Sequence, residues 1–449
     1  MSGEDELFRD LPEQNAPQAP ARGAPRLRHP ERNQVRIEVA ALDDLVPDDH
    51  PVREVWGFAQ GLDLSELEEA VKSREGAAGH PAAAPVLMVA LWLWATVEGV
   101  GSARQLDKLC KENVIYRWLC GGVSMNPHSL SDFRVAHSAL LDRLLAESVT
   151  ALIAEGLVKL DLLAQDGIKV RAAAGAKSFR RGARLELLRE AADERVRQLR
   201  AELEGDTTAG DKRQRRARER GAREKAERIA AAGKRMQELE AERKRREKTN
   251  KAEVAKQKEP RASTTDPEAR VMKMADGGFR PAYNMQLVSA PVEQVIVAVD
   301  VETSGSDRGL AKPTLEALRT EGIDPSDYLV DGGFTKNDDI EWGYANDVRL
   351  WCPPTQSKHG TDPYAPRDDD GPGVADWRRR MASEAGKALY KERAKAECPN
   401  AWGRRMGLDR LLVRGKEKAR AVLLWFALAQ NMLRGFNLRR AAALAAVAA

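Results

Sequence analysis

The stretch Leu160-Asp-Leu-Leu-Ala-Gln-Asp166-Gly-Ile-Lys-Val170 is an apolar run with β-branched residues, interrupted by an acid and then by glycine. It predicts a buried strand turning into a hairpin. An aspartate inside such a run is costly unless it is paired or bound to a cation. A turn aspartate at a strand end would account for the same residues, so both readings of Asp166 fit locally.

Upstream of this strand the period is helical. Apolar residues recur at Leu87, Leu91, Trp94 and Val97, at Leu106, Leu109, Val114 and Trp118, and from Leu140 to Ile153, which predicts an all-α N-terminal domain over 35–157. In its first part, an extended piece is expected at 35–42, a helix at Val52–Leu62, and Asp63 and Ser65 offer caps for another. Within the domain, Asn126-Pro-His-Ser-Leu-Ser-Asp-Phe-Arg134 offers Ser129 as an N-cap. It reads either as the second helix of a DNA-reading helix-turn-helix or as an ordinary short helix after a turn. Residues 1–34 carry Pro17, Pro20, Pro25 and Pro30 among arginines and small residues, and read as a mobile basic arm.

Downstream, residues 179–260 form a charged insertion between a first part of the α/β domain at 158–178 and its remainder at 261–449. Leu185, Leu188, Ala192, Val196, Leu199 and Leu203 make one helical seam, and Ile229, Ala232, Met236 and Leu239 a thinner one, with a break around Gly205–Gly210. Two long helices, as a hairpin or a coiled coil, are expected. From Asp211 to Pro260 there are 19 Lys and Arg against 10 Asp and Glu, although the whole chain carries only +4. Affinity for polyanions is therefore concentrated there, unless this is simply a solvated charged helix.

Past Pro260 the period becomes that of strands. Arg270–Met274, Tyr283–Ser289 and Val295–Glu302 predict an antiparallel meander. An amphipathic helix follows at Arg308–Glu321, then a short strand, Asp327–Val330, ending at Asp331-Gly-Gly-Phe334. Another strand, Val348–Cys352, leads through a polar loop to helices at Trp377–Met406 and Leu423–Arg434, the second of which must pack on the sheet. On the penultimate helix, Tyr390-Lys-Glu-Arg393-Ala-Lys-Ala-Glu397-Cys-Pro-Asn-Ala-Trp402-Gly403-Arg404 sets a tyrosine, an arginine and a glutamate on neighbouring turns.

Composition removes several classes. The chain has 449 residues and 42% hydrophobic content, enough for a buried core. Cys110, Cys120, Cys352 and Cys398 show neither zinc-ligand spacing nor a disulfide framework, so reduced thiols are expected. The six histidines have no ligand spacing. No charged-then-apolar leader opens the sequence, and the most apolar run, Val86–Val97, is too short to span a bilayer. The expectation is a cytoplasmic protein without membrane contact.

The element order of the α/β part is that of an RNase H-like layer, a mixed sheet flanked by helices. In that layer Asp166 lies on the first, central strand, Asp331 at the end of the fourth and Glu397 on a helix beside them. Three carboxylates that close repel one another unless divalent cations sit between them, and oxygen-only ligands favour Mg2+ or Mn2+ over zinc. A pair of such ions suits in-line phosphoryl transfer.

Several motifs in order resemble the DDE transposases of bacterial insertion sequences, in the IS-five-like and IS-four-like superfamily and most like the group numbered eleven-eighty-two. They are Ala164-Gln-Asp166-Gly, Ser263-Thr-Thr-Asp266-Pro-Glu-Ala-Arg270, Tyr283-Asn-Met-Gln286, Val330-Asp331-Gly-Gly-Phe334, and the family's Tyr, Arg, Glu, Lys signature at Tyr390, Arg393 and Glu397, with Arg404 in place of the lysine. The resemblance runs from about Gln34 to Arg434. It implies that Asp166, Asp331 and Glu397 bind catalytic metal, Mg2+ with Mn2+ as substitute, and that Tyr390, Arg393 and Arg404 hold DNA phosphates. The implied activity is hydrolysis of phosphodiesters at element ends and joining of the 3′-hydroxyl to target DNA, by at least a homodimer on terminal inverted repeats. The alternatives are a catalytically silent or domesticated DNA-binding derivative, and an RNase H-like nuclease that does not join strands. Glu392 is a second candidate for the third acid and Asp300 for the second. Asp266 reads as a turn or cap residue.

Overall fold

The structure, a computed structural model, describes residues 39–74, 76, 81–204, 209–249, 251–256, 259–355 and 362–448. The arm expected at 1–34 lies outside them, and the extended piece expected at 35–42 is described only from residue 39, without strand structure.

Among the described residues, seven α-helices precede the first strand: α1 (Pro51–Gln60), α2 (Ser65–Ala70), α3 (Pro85–Val97), α4 (Ala103–Glu112), α5 (Val114–Cys120), α6 (Pro127–Ala136) and α7 (Ser138–Ala154). Their starts follow local chemistry. Asp63 Oδ1 accepts from the Ser65 amide at 3.1 Å ahead of α2, and Asn113 Oδ1 accepts from Ile115 ahead of α5. The cap of α6 is Asn126 and not Ser129: its Oδ1 accepts from the amides of His128 and Ser129, and Pro127, whose fixed φ suits the first helical position, starts the helix three residues earlier than expected.

The sheet is built from β1 (Leu162–Arg171), β4 (Arg270–Lys273), β5 (Phe279–Ala290), β6 (Val295–Glu302), β7 (Asp327–Leu329) and β8 (Arg349–Trp351); β2 (Phe179–Arg180) and β3 (Ala262–Ser263) form a separate small ladder. β1 is central, antiparallel to β5 and parallel to β7, which is parallel to β8. Two expectations are corrected here. Gly167 does not turn a hairpin: it lies inside β1 opposite Gln286, and the partner strand arrives only after the insertion. A Cβ on Gly167 would stand 2.6 Å from Gln286 Nε2 and 2.7 Å from Asp307 Oδ1, so the glycine answers to crowding by a polar cluster. The meander is also not a simple one, because β1 occupies one whole edge of β5 and leaves β4 and β6 to share the other.

Inside the insertion, α8 (Gly182–Glu204) and α9 (Ala209–Thr249) pack side by side, followed by α10 (Lys251–Lys256). Arg200 pairs with Glu219 near their connection, and Leu185 packs on Ala232 and Met236 at the other end, so the two run antiparallel as a hairpin. At about 1.5 Å per residue, α9 extends roughly 60 Å.

The remaining helices are α11 (Ala311–Thr320), α12 (Asn337–Ala345), α13 (Pro372–Ala382), α14 (Glu384–Tyr390), α15 (Glu397–Arg405) and α16 (Lys416–Ala448). α12 has no counterpart in the sequence reading. The helix expected over Trp377–Met406 is three helices, with a 3-10 stretch at Lys391–Ala396 between α14 and α15. Pro399 gives a physical reason: in a continuous helix it would be interior and clash with the Lys395 carbonyl, whereas a restart at Glu397 puts it in a first turn.

Both faces of the sheet are covered. Ile168, Val170, Met285, Leu287 and Val301 share one apolar core with α16 and with α1 to α7. Leu163, Val288, Val297, Tyr328 and Leu350 share another with α11, α12 and α13. As expected, α16 docks on the sheet: Asn431 Oδ1 accepts from the Ile296 amide at 2.8 Å and Nδ2 donates to the Ile296 carbonyl at 2.6 Å, satisfying both backbone groups of that β6 residue with one side chain. All four cysteines are free, and no described helix is long and apolar enough to cross a membrane.

Candidate active site

Three elements far apart in sequence deliver the three acids. Asp166 projects from the middle of β1. Asp331 follows the C-terminal end of the adjacent β7, in a turn where its Oδ1 accepts from the Gly333 amide at 2.7 Å; a Cβ at Gly333 would stand 2.9 Å from that oxygen. Glu397 opens α15. Their meeting point is the guanidinium of Arg393, from the 3-10 stretch. Its Nη2 lies 3.4 Å from Asp166 Oδ1 and 3.9 Å from Asp331 Oδ2, and its Nη1 lies 3.0 Å from Glu397 Oε1.

The three carboxylates differ in depth: the side chains of Asp166, Asp331 and Glu397 are 13%, 40% and 64% exposed. The site therefore opens to solvent on the Asp331 and Glu397 side, which is where a polymer could approach. Burial is the main reason that the Asp166 carboxyl is pushed up to about 6; Arg393 and the Gly167 amide oppose the shift, and the charges of Asp331 and Glu397 add to it. For Arg393, burial favours the neutral form, but Asp166, Tyr390 and Asp331 outweigh it and hold the guanidinium above its ordinary range.

Two supporting contacts complete the arrangement. Asn400, three residues beyond Glu397 on the same face of α15, donates through Nδ2 to Asp166 Oδ2 at 2.7 Å. Its Oδ1 is buried without a partner. The Tyr390 hydroxyl donates to the Val330 carbonyl at 3.2 Å, beside Asp331, and burial pushes its pKa up to about 12. Arg404 is exposed in the last turn of α15, seven residues and roughly 10 Å along the axis from Glu397 on nearly the same face.

The other candidates lie elsewhere. Glu392 turns to Lys395 at 2.6 Å. Asp300 sits on β6 with Lys416 at 3.7 Å. Asp266 is fully buried, its Oδ1 accepting from the Tyr283 hydroxyl at 2.7 Å and the Gly415 amide at 3.2 Å. Sequence reasoning passed over Asn400, although its three-residue offset from Glu397 was a usable signal.

Among the described residues, no group of three or more His, Cys, Asp or Glu side chains stands ready to hold a metal ion; the cation that the three acids gather around is Arg393. The donor chemistry nevertheless suits a hard divalent ion: three carboxylates, and the unpartnered amide oxygen of Asn400 beside them.

Two family comparisons bear on this site. Residues 40–136 match the transposase domain (DUF772), and residues 254–432 match the transposase DDE domain. The second match contains Asp331, Arg393 and Glu397 and begins after β1, so Asp166 lies outside it. No curated protein and no solved structure matches the chain. The two transposase domains, in this order along one chain, support an insertion-sequence DDE transposase.

Proposed function

We propose that the chain is a DNA transposase of the group-eleven-eighty-two type that hydrolyses the phosphodiester at each insertion-sequence end and transfers the 3′-hydroxyl into target DNA. The observation that carries this is the convergence of Asp166, Asp331 and Glu397 on one guanidinium from three separate elements. The RNase H-like reading is supported by the strand order, in which three antiparallel strands lead to a central β1 followed by parallel β7 and β8.

Asp166, Asp331 and Glu397 are the metal-binding residues of this proposal, for Mg2+ with Mn2+ as substitute. When bound, a divalent ion supplies charge stabilisation for the attacking and leaving oxygens of an in-line displacement. The protein's part is geometric and electrostatic. Asn400 fixes the rotation of the Asp166 carboxylate, and Tyr390 steadies the end of β7 that carries Asp331. Arg393 keeps three like charges together, and its fork of donors suits a phosphate that enters from the open side. Arg404 extends positive charge along α15 for a neighbouring phosphate. One site at each of two element ends calls for at least a dimer on DNA, and the proposed setting is the cytoplasm.

The test is a supercoiled plasmid carrying the inverted repeats that flank the gene, incubated with the purified chain and Mg2+. Release of the element and its joining to a target plasmid, both abolished by chelation, is the expected result. Cleavage without joining would leave only a nuclease, and binding without cleavage a silent DNA-binding derivative.

A further inference from the structure

On α6, Arg134 poses a problem that the candidate active site does not solve. Its guanidinium lies 4.8 Å from the centre of the Trp92 ring and donates to the Gly101 carbonyl, while Nε is buried without a partner. Among the described residues no carboxylate pairs with it. Burial alone draws its pKa down to about 10. A cation partly withdrawn from water and left without a counter-charge is costly, and an anion arriving from outside would relieve that cost.

The surroundings provide room for one. Arg134 lines a cavity of about 290 Å3 together with Ser102, Gln105, Asp409 and Arg410. Ser102 begins the ten-residue α4, where its hydroxyl accepts only from the Gln105 amide, at 3.4 Å. The amides of Ala103 and Arg104 find no acceptor among the described residues. Helix-start amides, an arginine without an acid partner and the exposed Arg410 outweigh the single acid of the lining, Asp409.

We propose that this cavity, formed by Arg134, the start of α4 and Arg410, is a phosphate-binding site distinct from the three-acid cluster. The loop after α15 forms one of its walls, and α15 itself, Glu397–Arg405, rises roughly 13 Å from Glu397 toward that loop. A DNA backbone that reaches Glu397 can therefore present a second phosphate here a few nucleotides away. This last step rests on the transposase reading, whereas the affinity for phosphate does not.

The experiment uses the full-length chain and three proteins: wild type, Arg134→Gln and Gln105→Glu. Gln105 is exposed at the third position of α4, where glutamate forms a capping box with Ser102, so the second variant keeps Arg134 and supplies the missing anion from within. The thermal midpoint is measured against inorganic phosphate at ionic strength held constant with chloride. A saturable rise is expected in wild type and a flat response in both variants, with Gln105→Glu starting higher than wild type. No rise in wild type, or a wild-type response in Gln105→Glu, overturns the proposal. Binding of a random-sequence duplex is then followed as a function of salt. If the occupant is a backbone phosphate, the slope of log K against log salt is less steep by about 0.9 in each variant. An unchanged slope alongside the phosphate response assigns the site to free phosphate.

Discussion

Asp166 and Asp266 are both drawn out of water, and burial is the main reason that both carboxyls stand above their ordinary range. Their company differs in charge. Asp266 is met by neutral donors, the Tyr283 hydroxyl and the Gly415 amide, and so ties β5 to the start of α16. Asp166 is met by a guanidinium that two further carboxylates share, on the side of the sheet that opens to solvent. Burial of an acid alone is thus no guide to chemistry. Other acids gathered around the same cation are the better sign, because like charges are brought together only where something positive is to be held.

The contrast can be broken most severely at the deep acid. Asp166→Asn is expected to reduce plasmid cleavage on the order of 1000-fold or more, since a ligand of charge stabilisation is lost, while the thermal midpoint stays level or rises. Asn400→Ala removes the donor to Asp166 and not the acid itself; a 10- to 100-fold loss of cleavage is expected, of roughly the size seen for residues that orient metal ligands. Mn2+ affinity measured by calorimetry should fall with it.

At the other aspartate the effects move to stability. Asp266→Ala leaves the buried Tyr283 hydroxyl without its acceptor and is expected to cost about 1–3 kcal/mol in denaturant unfolding, with cleavage per folded molecule retained. A smaller effect concerns pH. Because the Asp266 pKa is raised on folding, the folded chain keeps a proton that the unfolded chain releases. That stabilisation is full below the ordinary carboxylate pKa and is lost as pH rises through the folded value. Asp266→Asn keeps a neutral acceptor and lacks this loss, so its midpoint relative to wild type should climb as pH rises above the ordinary aspartate value of about 4. A constant difference above that value would mean that Asp266 carries no raised pKa.

Much of this was legible in the sequence because the informative patterns are local. β6 occupies the expected Val295–Glu302, and the paired seams of the insertion became α8 and α9. What escaped has non-local or competing causes. The partner of β1 lies more than a hundred residues on, beyond the insertion, so a glycine crowded by Gln286 and Asp307 read as a turn. α12 begins Asn337-Asp-Asp and holds a glycine, Gly343, whose Cβ would meet Leu350 Cδ1 at 2.3 Å; polar composition hid a helix whose tertiary packing sets its sequence. At the candidate site the acids were visible by motif. The central position of Arg393 was not, because it depends on the 3-10 stretch that Pro399 forces between α14 and α15.

The most direct test of a shared three-acid site is Asp331→Asn, assayed in Mg2+ and in Mn2+ on the plasmid bearing the flanking inverted repeats, with binding to an end-containing duplex measured on the same preparation. Asp331 is the half-exposed member, so the variant should fold as wild type does. The expected result is cleavage abolished in both metals with end binding nearly unchanged. Full cleavage by Asp331→Asn would contradict the three-acid site.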